Sequence, residues 1–316
     1  MTNLTRAECA LFLQAHDRFA IITHGGPDGD TIGSAAALCL GLRKLGKAAY
    51  VLHNPQVAEK FQHLLADLTK QDAEEGDTLV AVDVATARML CEEARILAEK
   101  IDLRIDHHGT GVPFASYELV DSACAACGEI IYDLLALLGV NVDAPIANAL
   151  YTAVSSDTGC FRYANTTGNS FRLASACADA SGDIFRINQR LFDTVTLGRL
   201  RLQSWVVEHM QVLQNGKVIV CGIPADIQEK LGLADEDMGN LAGFLRSIEG
   251  VKMAATVRQD KEGHTGVSVR AVPGCDAAAV CQKLGGGGHK GAAGASLGDI
   301  TMEEALGKLI AAIPEI

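Results

Sequence analysis

The chain has a single Trp and 5% aromatic residues, so large rings cannot build its core; Ala, Val, Leu and Ile must, as is usual where helices cover a sheet. It has no apolar run near the roughly 18 residues a membrane-spanning helix needs. Charges recur every few positions through residues 1–24, which argues against an export leader or membrane anchor there. A disulfide framework is missing too: the ten Cys are scattered and, without an export signal, read as reduced thiols, so the expected location is the cytoplasm. Nor is there a basic excess. The net charge is −12; residues 1–189 hold 14 Lys and Arg against 24 Asp and Glu, residues 190–316 hold 13 against 15. Gripping a long polyanion needs a basic track, so long duplex nucleic acid is not an expected partner, whereas clustered carboxylates suit divalent cations. A short anionic substrate remains compatible with this charge.

What is present is a length of 316 residues, enough for two domains with separate cores. In the first 160 residues, the apolar runs FAIIT (19–23), AAYVL (48–52), TLVAV (78–82) and LRI (103–105) alternate with helical stretches at 32–45 and 87–100. That order implies an α/β fold with a parallel, doubly wound sheet. Further helices are expected at 127–138 and 144–154, then nearly continuous helix from 170 to 210 with a break at 181–183. After it, strand-like 217–223, 252–257 and 266–272 and helix-like 240–247, 276–284 and 302–312 make a smaller α+β domain. The resulting division is an N-terminal domain over 1–185, a helical linker over 186–215 and a C-terminal domain over 216–316. No period of about 20 to 50 residues recurs, which excludes a repeat architecture.

Four segments carry chemistry. In ITHGGPDGDTIGS, His24 ends a strand, and Asp28 and Asp30 follow in a Gly-rich turn, the place where open α/β sheets put ligands. Turn formation and helix capping alone could account for Asp-Gly-Asp; the imidazole is what favours a site. Asp83 follows TLVAV at another strand end, where a helix cap is the bland alternative. Asp106-His107-His108 follows LRI: adjacent imidazoles point apart, so one can bind a metal while the other faces substrate, and Asp106 can orient a ring. Asp157 lies in SSDTGCFRY. Each could be structural alone; four such clusters at element ends are better explained by a shared site. Oxygen plus imidazole without thiolate favours Mn²⁺ or Mg²⁺ over structural zinc, and two divalent ions, Mn²⁺ first, are the expected cofactors. If one carboxylate bridges, two ions about 3.5–4 Å apart could hold a bridging hydroxide for in-line attack at phosphorus.

HGGPDGDTIGS, VAVD, IDHH and SSDTGCFRY, in this order, resemble the four motifs of the DHH phosphoesterases, and VSVRA followed by LGGGGHKGAAGA resembles the family's C-terminal substrate-binding domain, closest to the nanoRNase and 3′-phosphoadenosine-5′-phosphate phosphatase group. The likeness spans nearly the whole chain. It implies that His24 and Asp28 bind one metal, that Asp30, His107 and Asp157 bind the other, and that Asp83 bridges. It also implies that His108 meets the scissile phosphate or protonates the leaving oxygen, with Asp106 behind it. Arg270, Gly286, Gly287, Gly288 and His289 would hold the substrate's other phosphate or terminal nucleotide. Arg162 could reach the site or merely decorate a loop. The implied enzyme hydrolyses short oligoribonucleotides to nucleoside monophosphates, or 3′-phosphoadenosine-5′-phosphate to AMP and phosphate, in a cleft between its domains, and a homodimer is compatible with it.

Two departures from the family pattern stand out: Gly111 where Asn is frequent after the triplet, and Ala271 after Arg270 where Ser is usual. Neither is a proposed metal ligand. The rival activities are cyclic-dinucleotide phosphodiesterase, pyrophosphatase and RecJ-like exonuclease; the rival class is a non-catalytic nucleotide sensor. The lone Cys124-x-x-Cys127 lacks a second pair or a redox context and reads as packing.

Overall fold

The computed structural model describes residues 1–260 and 263–316 and divides into two compact units, Met1–Thr194 and Val195–Ile316. Each is described by itself.

The first unit begins with β1 (Thr2–Asn3), α1 (Arg6–Ala15), β2 (Arg18–Ile22), α2 (Gly29–Lys44), β3 (Ala48–Leu52), α3 (Glu59–Gln62), β4 (Thr69–Lys70) and β5 (Thr78–Val82). It continues through β6 (Leu103–Asp106), β7 (Tyr117–Val120), α4 (Cys127–Leu137), α5 (Ala144–Asp157), α6 (Gly168–Asp179) and α7 (Ile184–Asn188). Its seven strands are all parallel, in the order β1-β7-β6-β5-β2-β3-β4. The order reverses direction beside β2 and β5, and the chemistry-bearing turns leave the C-terminal ends of β2, β5 and β6. That is the doubly wound arrangement implied by the strand–helix alternation.

Two apolar layers cover the sheet, and the two-residue period of the strands feeds both. Phe19, Ile21, Val80 and Val82 join one cluster with α1, α2, α4 and α5, while Ala20, Ile22, Leu79 and Ala81 join the other. Strands buried on both faces read as unbroken apolar runs, which is why they are visible in sequence. Residues 87–100, expected as a helix, instead form two short 3₁₀ segments, Ala87–Met89 and Glu92–Lys100. The intervening Leu90 makes an isolated β-bridge with His24, and Gly25 N–H donates to Met89 O at 2.6 Å, so pairing with the His24 turn draws the chain out of the helix.

The helical stretch from 170 to 210 is broken into α6, α7, a π turn at Gln189–Asp193 and α8 (Leu197–His209). With α8 the second unit begins. It adds β8 (Gln211–Leu213), β9 (Val218–Ile223), α9 (Ile227–Lys230), α10 (Leu241–Arg246), β10 (Met253–Gln259), β11 (Thr265–Ala271), α11 (Ala277–Lys283), β12 (Gly287–Gly288), β13 (Ala292–Ser296) and α12 (Met302–Ala312). The sheet order is β12-β13-β11-β10-β9-β8, with only β9–β10 parallel, as an α+β domain allows. One face packs on α11 and α12, and the other buries Leu202, Val206 and Leu241 from α8 and α10. Among the described residues no helix is long and apolar enough to cross a membrane.

Candidate metal centre

His24 lies just beyond β2. Its Nδ1 contacts its neighbour's carbonyl, Gly25 O, at 3.0 Å; with the proton on Nδ1, Nε2 keeps its lone pair. That Nε2 stands 3.8 Å from both Asp28 Oδ1 and Asp83 Oδ2. Asp28 caps α2, accepting from Asp30 N–H at 3.0 Å and Thr31 N–H at 3.2 Å. The Thr31 hydroxyl donates to Val82 O at 2.9 Å, tying α2 to β5.

Asp30 is fully buried in the first turn of α2 and faces the start of α4. It accepts from Cys127 N–H at 2.6 Å, Gly128 N–H at 3.0 Å and the Ser34 hydroxyl at 2.8 Å. Asp83, also buried, has a backbone φ of 59°, a left-handed conformation rare outside glycine and of a kind that collects at functional sites. His107 leaves the end of β6. Its Nδ1 meets Cys124 O at 3.2 Å, and its Nε2 lies 3.6 Å from Asp30, 3.5 Å from Asp83 and 3.3 Å from Asp157, the last residue of α5. The six side chains thus gather as His24-Asp28-Asp83 and Asp30-His107-Asp157, with Asp83 within reach of both histidines.

Whether a cation fits can be judged from unmet demands. Among the described residues, Asp83 Oδ1 and His107 Nε2 are buried with no hydrogen-bond partner, and each faces the other. A buried acceptor pair left this way is costly unless a cation lies between them. The electrostatics agree. Burial, together with Asp157, pushes the Asp30 carboxyl up to about 8, and burial with Asp30 and Asp28 pushes Asp83 well above the carboxylate range. Burial alone would lower His107, but Asp157 and Asp30 raise it to about 9. Burial would likewise lower His24, which the hydrogen bond to Asp28 raises. In the absence of a cation, protons are held where positive charge is needed. The donors are hard oxygen and imidazole, suited to Mn²⁺ or Mg²⁺.

His108 stands beside this group. Asp106 Oδ1 accepts from its Nδ1 at 2.7 Å, and Asp83 Oδ1 is 3.6 Å from the same nitrogen. Burial would raise Asp106, but His108 and Arg104 hold it below the usual range. Arg104, a residue not singled out from the sequence, is buried in β6 and ion-paired with both Asp106 and Glu118. A charge inside a short apolar run was the available signal.

Of the remaining predicted residues, Arg162 belongs to the first unit and the others to the second. Arg162 donates from Nε to Gly159 O at 2.6 Å and its guanidinium lies 5.8 Å from the Phe192 ring, so its described contacts are within its own loop and with Phe192. In the second unit, Arg270 on β11 pairs in register with Ala292, and β12 carries Gly287 and Gly288 against Gly294 and Ala293. A Cβ at Gly286 would come within 2.2 Å of Gly294 O, and one at Gly288 within 2.7 Å of Ala292 O, so hairpin closure itself demands glycine at both. The N–H groups of Gly286 and His289 already donate to Cys281 O and Ala292 O, leaving the exposed Gly287 and the His289 imidazole facing solvent. Arg270 also lines a cavity of about 480 Å³ with Arg258, Ser268, Thr256 and Asn240. Cys124 and Cys127 are buried, unbridged thiols.

Comparison with known proteins gives two family matches: the "DHH family, N-terminal domain" over residues 18–154 and the "DHHA1 domain" over 215–316. The chain is 33% identical over 302 residues to a bifunctional oligoribonuclease and PAP phosphatase NrnA of Thermus thermophilus, covering 93% of this chain and 89% of that protein. It is 25% identical over 297 residues to the Bacillus subtilis protein of that name, covering 92% and 93%. Among solved structures, an exopolyphosphatase-related protein of Bacteroides fragilis superposes with a TM-score of 0.84 at 22% identity, covering 97% of this chain and 94% of that one, a likeness of fold.

Proposed function

Because the chain belongs to the DHH phosphoesterase family and is a phosphoester hydrolase of that kind, we propose that it hydrolyses short oligoribonucleotides to nucleoside monophosphates and 3′-phosphoadenosine-5′-phosphate to AMP and phosphate. The substrate class comes from the relatives, which are named as oligoribonucleases and PAP phosphatases. The observation that carries the mechanism is the unpartnered, buried pair Asp83 Oδ1 and His107 Nε2 at the centre of six ligand-type side chains.

DHH phosphoesterases are metal dependent, and two Mn²⁺ are the proposed ions. His24 and Asp28 would hold one, Asp30, His107 and Asp157 the other, and Asp83 both. When bound, such a pair supplies charge neutralisation at phosphorus and an activated water for in-line displacement. The chain's own residues do the rest. Cys127 N–H, Gly128 N–H and Ser34 hold Asp30 so that it does not swing away. The carbonyls Gly25 O and Cys124 O receive the Nδ1 protons of His24 and His107, turning Nε2 of each inward. His108, oriented by Asp106, supplies a proton to the leaving oxygen. Arg270, Gly287 and His289 are the proposed holders of the substrate's other phosphate, a second hold that would favour short substrates. Ten unbridged cysteines fit a reducing compartment, and the cytoplasm is the proposed location.

The test is product formation with Mn²⁺ from a panel: 3′-phosphoadenosine-5′-phosphate, linear and cyclic dinucleotides, a five-nucleotide RNA, a long single strand and pyrophosphate. Rapid cleavage of the first substrate or of linear dinucleotides, lost in Asp83→Ala, supports the reading. Binding without turnover, or an Asp83→Ala protein as active as wild type, would favour a nucleotide sensor.

A further inference from the structure

Arg104 has 1% of its surface exposed. Its neighbours Leu103 and Ile105 point into the helix-covered cluster, so Arg104 points to the opposite sheet face. A charge placed there is costly unless paired; both terminal nitrogens are paired, while Nε is buried without a hydrogen-bond partner. Nη1 donates to Glu118 Oε2 at 2.7 Å, from the residue opposite Arg104 in the β6–β7 register, and Nη2 donates to Asp106 Oδ2. The other Glu118 oxygen accepts from the N–H groups of Phe114 at 2.9 Å and Ala115 at 3.1 Å. The guanidinium carbon lies 5.6 Å from the centroid of the Phe114 ring.

The loop after His108 closes over this group. A Cβ at Gly111 would come within 2.2 Å of Arg104 Nη2 and 2.7 Å of Ala85 O, so the guanidinium occupies the space a side chain at 111 would need. The departure at 111 and the buried arginine are therefore one feature. Pairing with Glu118 alone would suffice to join β6 to β7. The second arm instead holds a fully buried carboxylate whose other oxygen accepts from His108 Nδ1 at 2.7 Å.

We propose that Arg104 is a positioning residue: gripping Glu118 with one arm and Asp106 with the other, it fixes the His108 ring with Nδ1–H on Asp106 and Nε2 turned toward the leaving oxygen. The inference rests on the function proposed above. In the step it serves, the oxygen of a water forms the new bond to phosphorus and the old P–O bond breaks with its electron pair on the ribose oxygen. That oxygen takes the Nε2 proton of the doubly protonated His108 ring, which is left as the Nδ1–H tautomer held on Asp106, and the proton given up by the water returns to Nε2. Without Arg104 the buried Asp106 carboxylate faces Asp83 uncompensated, and the ring loses its anchor.

The experiment compares wild type, Arg104→Lys and Arg104→Met, all with Mn²⁺, on a linear diadenylate and on a p-nitrophenyl ester of a nucleoside monophosphate. A ribose hydroxyl needs the proton as it leaves; a nitrophenolate does not. Both variants are expected to lose kcat on the diadenylate by on the order of 10–100-fold with KM little changed, and to keep kcat on the nitrophenyl ester within about threefold. In the metal-free proteins, ¹⁵N NMR is expected to give the Nδ1–H tautomer of His108 in wild type and a mixture of tautomers in the variants. Equal losses on both esters, or no loss on either, with His108 resonances unchanged, would overturn the proposal. A wild type that cleaves neither ester would refute the function reading instead, while the His108 resonances would still decide the role of Arg104. Arg104→Lys keeps the charge and so guards against a Met variant that does not fold.

Discussion

At the scale of single residues, the site is a set of buried ionisable groups whose charges oppose folding unless they are compensated. Asp30, with its folded value raised to about 8 from 3.8, and His107, raised to about 9 from 6.5, both hold protons more tightly folded than unfolded. By linkage, stability is highest below the unfolded values and is lost as pH rises through the folded ones. Metal-free protein should therefore lose thermal stability between about pH 4 and 9, most steeply from 6.5 upward, where both groups contribute. Cations compete with those protons, so the stabilisation by Mn²⁺ should grow over the same interval. Melting curves with chelator and with Mn²⁺ from pH 6 to 9 check both signs. Asp83→Asn should raise metal-free stability by roughly 0.5–2 kcal/mol, since it removes the cost of burying a carboxyl that must take up a proton at a strained position, while diminishing the Mn²⁺ response. Histidines and aspartates at strand ends were legible as this site because their chemistry is unusual there. Arg104 and Glu118 were not: each neutralises the other inside a layer that the sequence presents as apolar, and charge in a strand reads as an exposed face.

At the scale of elements, Asp30 and Asp157 are brought together by α2 crossing α5 at close range. A Cβ at Gly33 would lie 2.3 Å from Ala149 O and 2.8 Å from Ala153 N, backbone atoms that cannot turn aside. Gly33→Ala should cost about 1–3 kcal/mol through overpacking and weaken Mn²⁺ binding by spreading the carboxylates, as denaturant melts and metal titration would record. A Gly41→Ala control, where the obstacle is a Leu135 side chain that can shift, should cost less. The strands with unbroken apolar runs were readable almost to the residue, because burial on both faces leaves only one composition. β7 was not, since Glu118 breaks the pattern in YELV, and β1 and β4 are too short for a period to register. The 3₁₀ segments at residues 87–100 carry helical periodicity, and only their pairing with the His24 turn, a tertiary contact, sets their form.

At the scale of the whole molecule, each unit owns its apolar clusters: none of those clusters draws residues from both. Residues 1–194 expressed alone should fold and keep the Mn²⁺-dependent rise in melting temperature, because all six ligand-type side chains lie within them. They should also lose the preference for short substrates if Arg270 and the hairpin at 286–289 supply it, which rate against oligonucleotide length would measure. The two-unit organisation was legible from the return of strand character near residue 217. The extent of each unit depended on how the helical stretch between them breaks, and helical periodicity alone does not say. The most direct test of the metal centre is the number of Mn²⁺ ions bound per chain at saturation, counted by equilibrium dialysis for wild type and Asp83→Asn. Two ions per wild-type chain, with fewer in the variant and hydrolysis lost in parallel, is the predicted result; wild type that binds none, or a variant that binds and hydrolyses as wild type does, would contradict it.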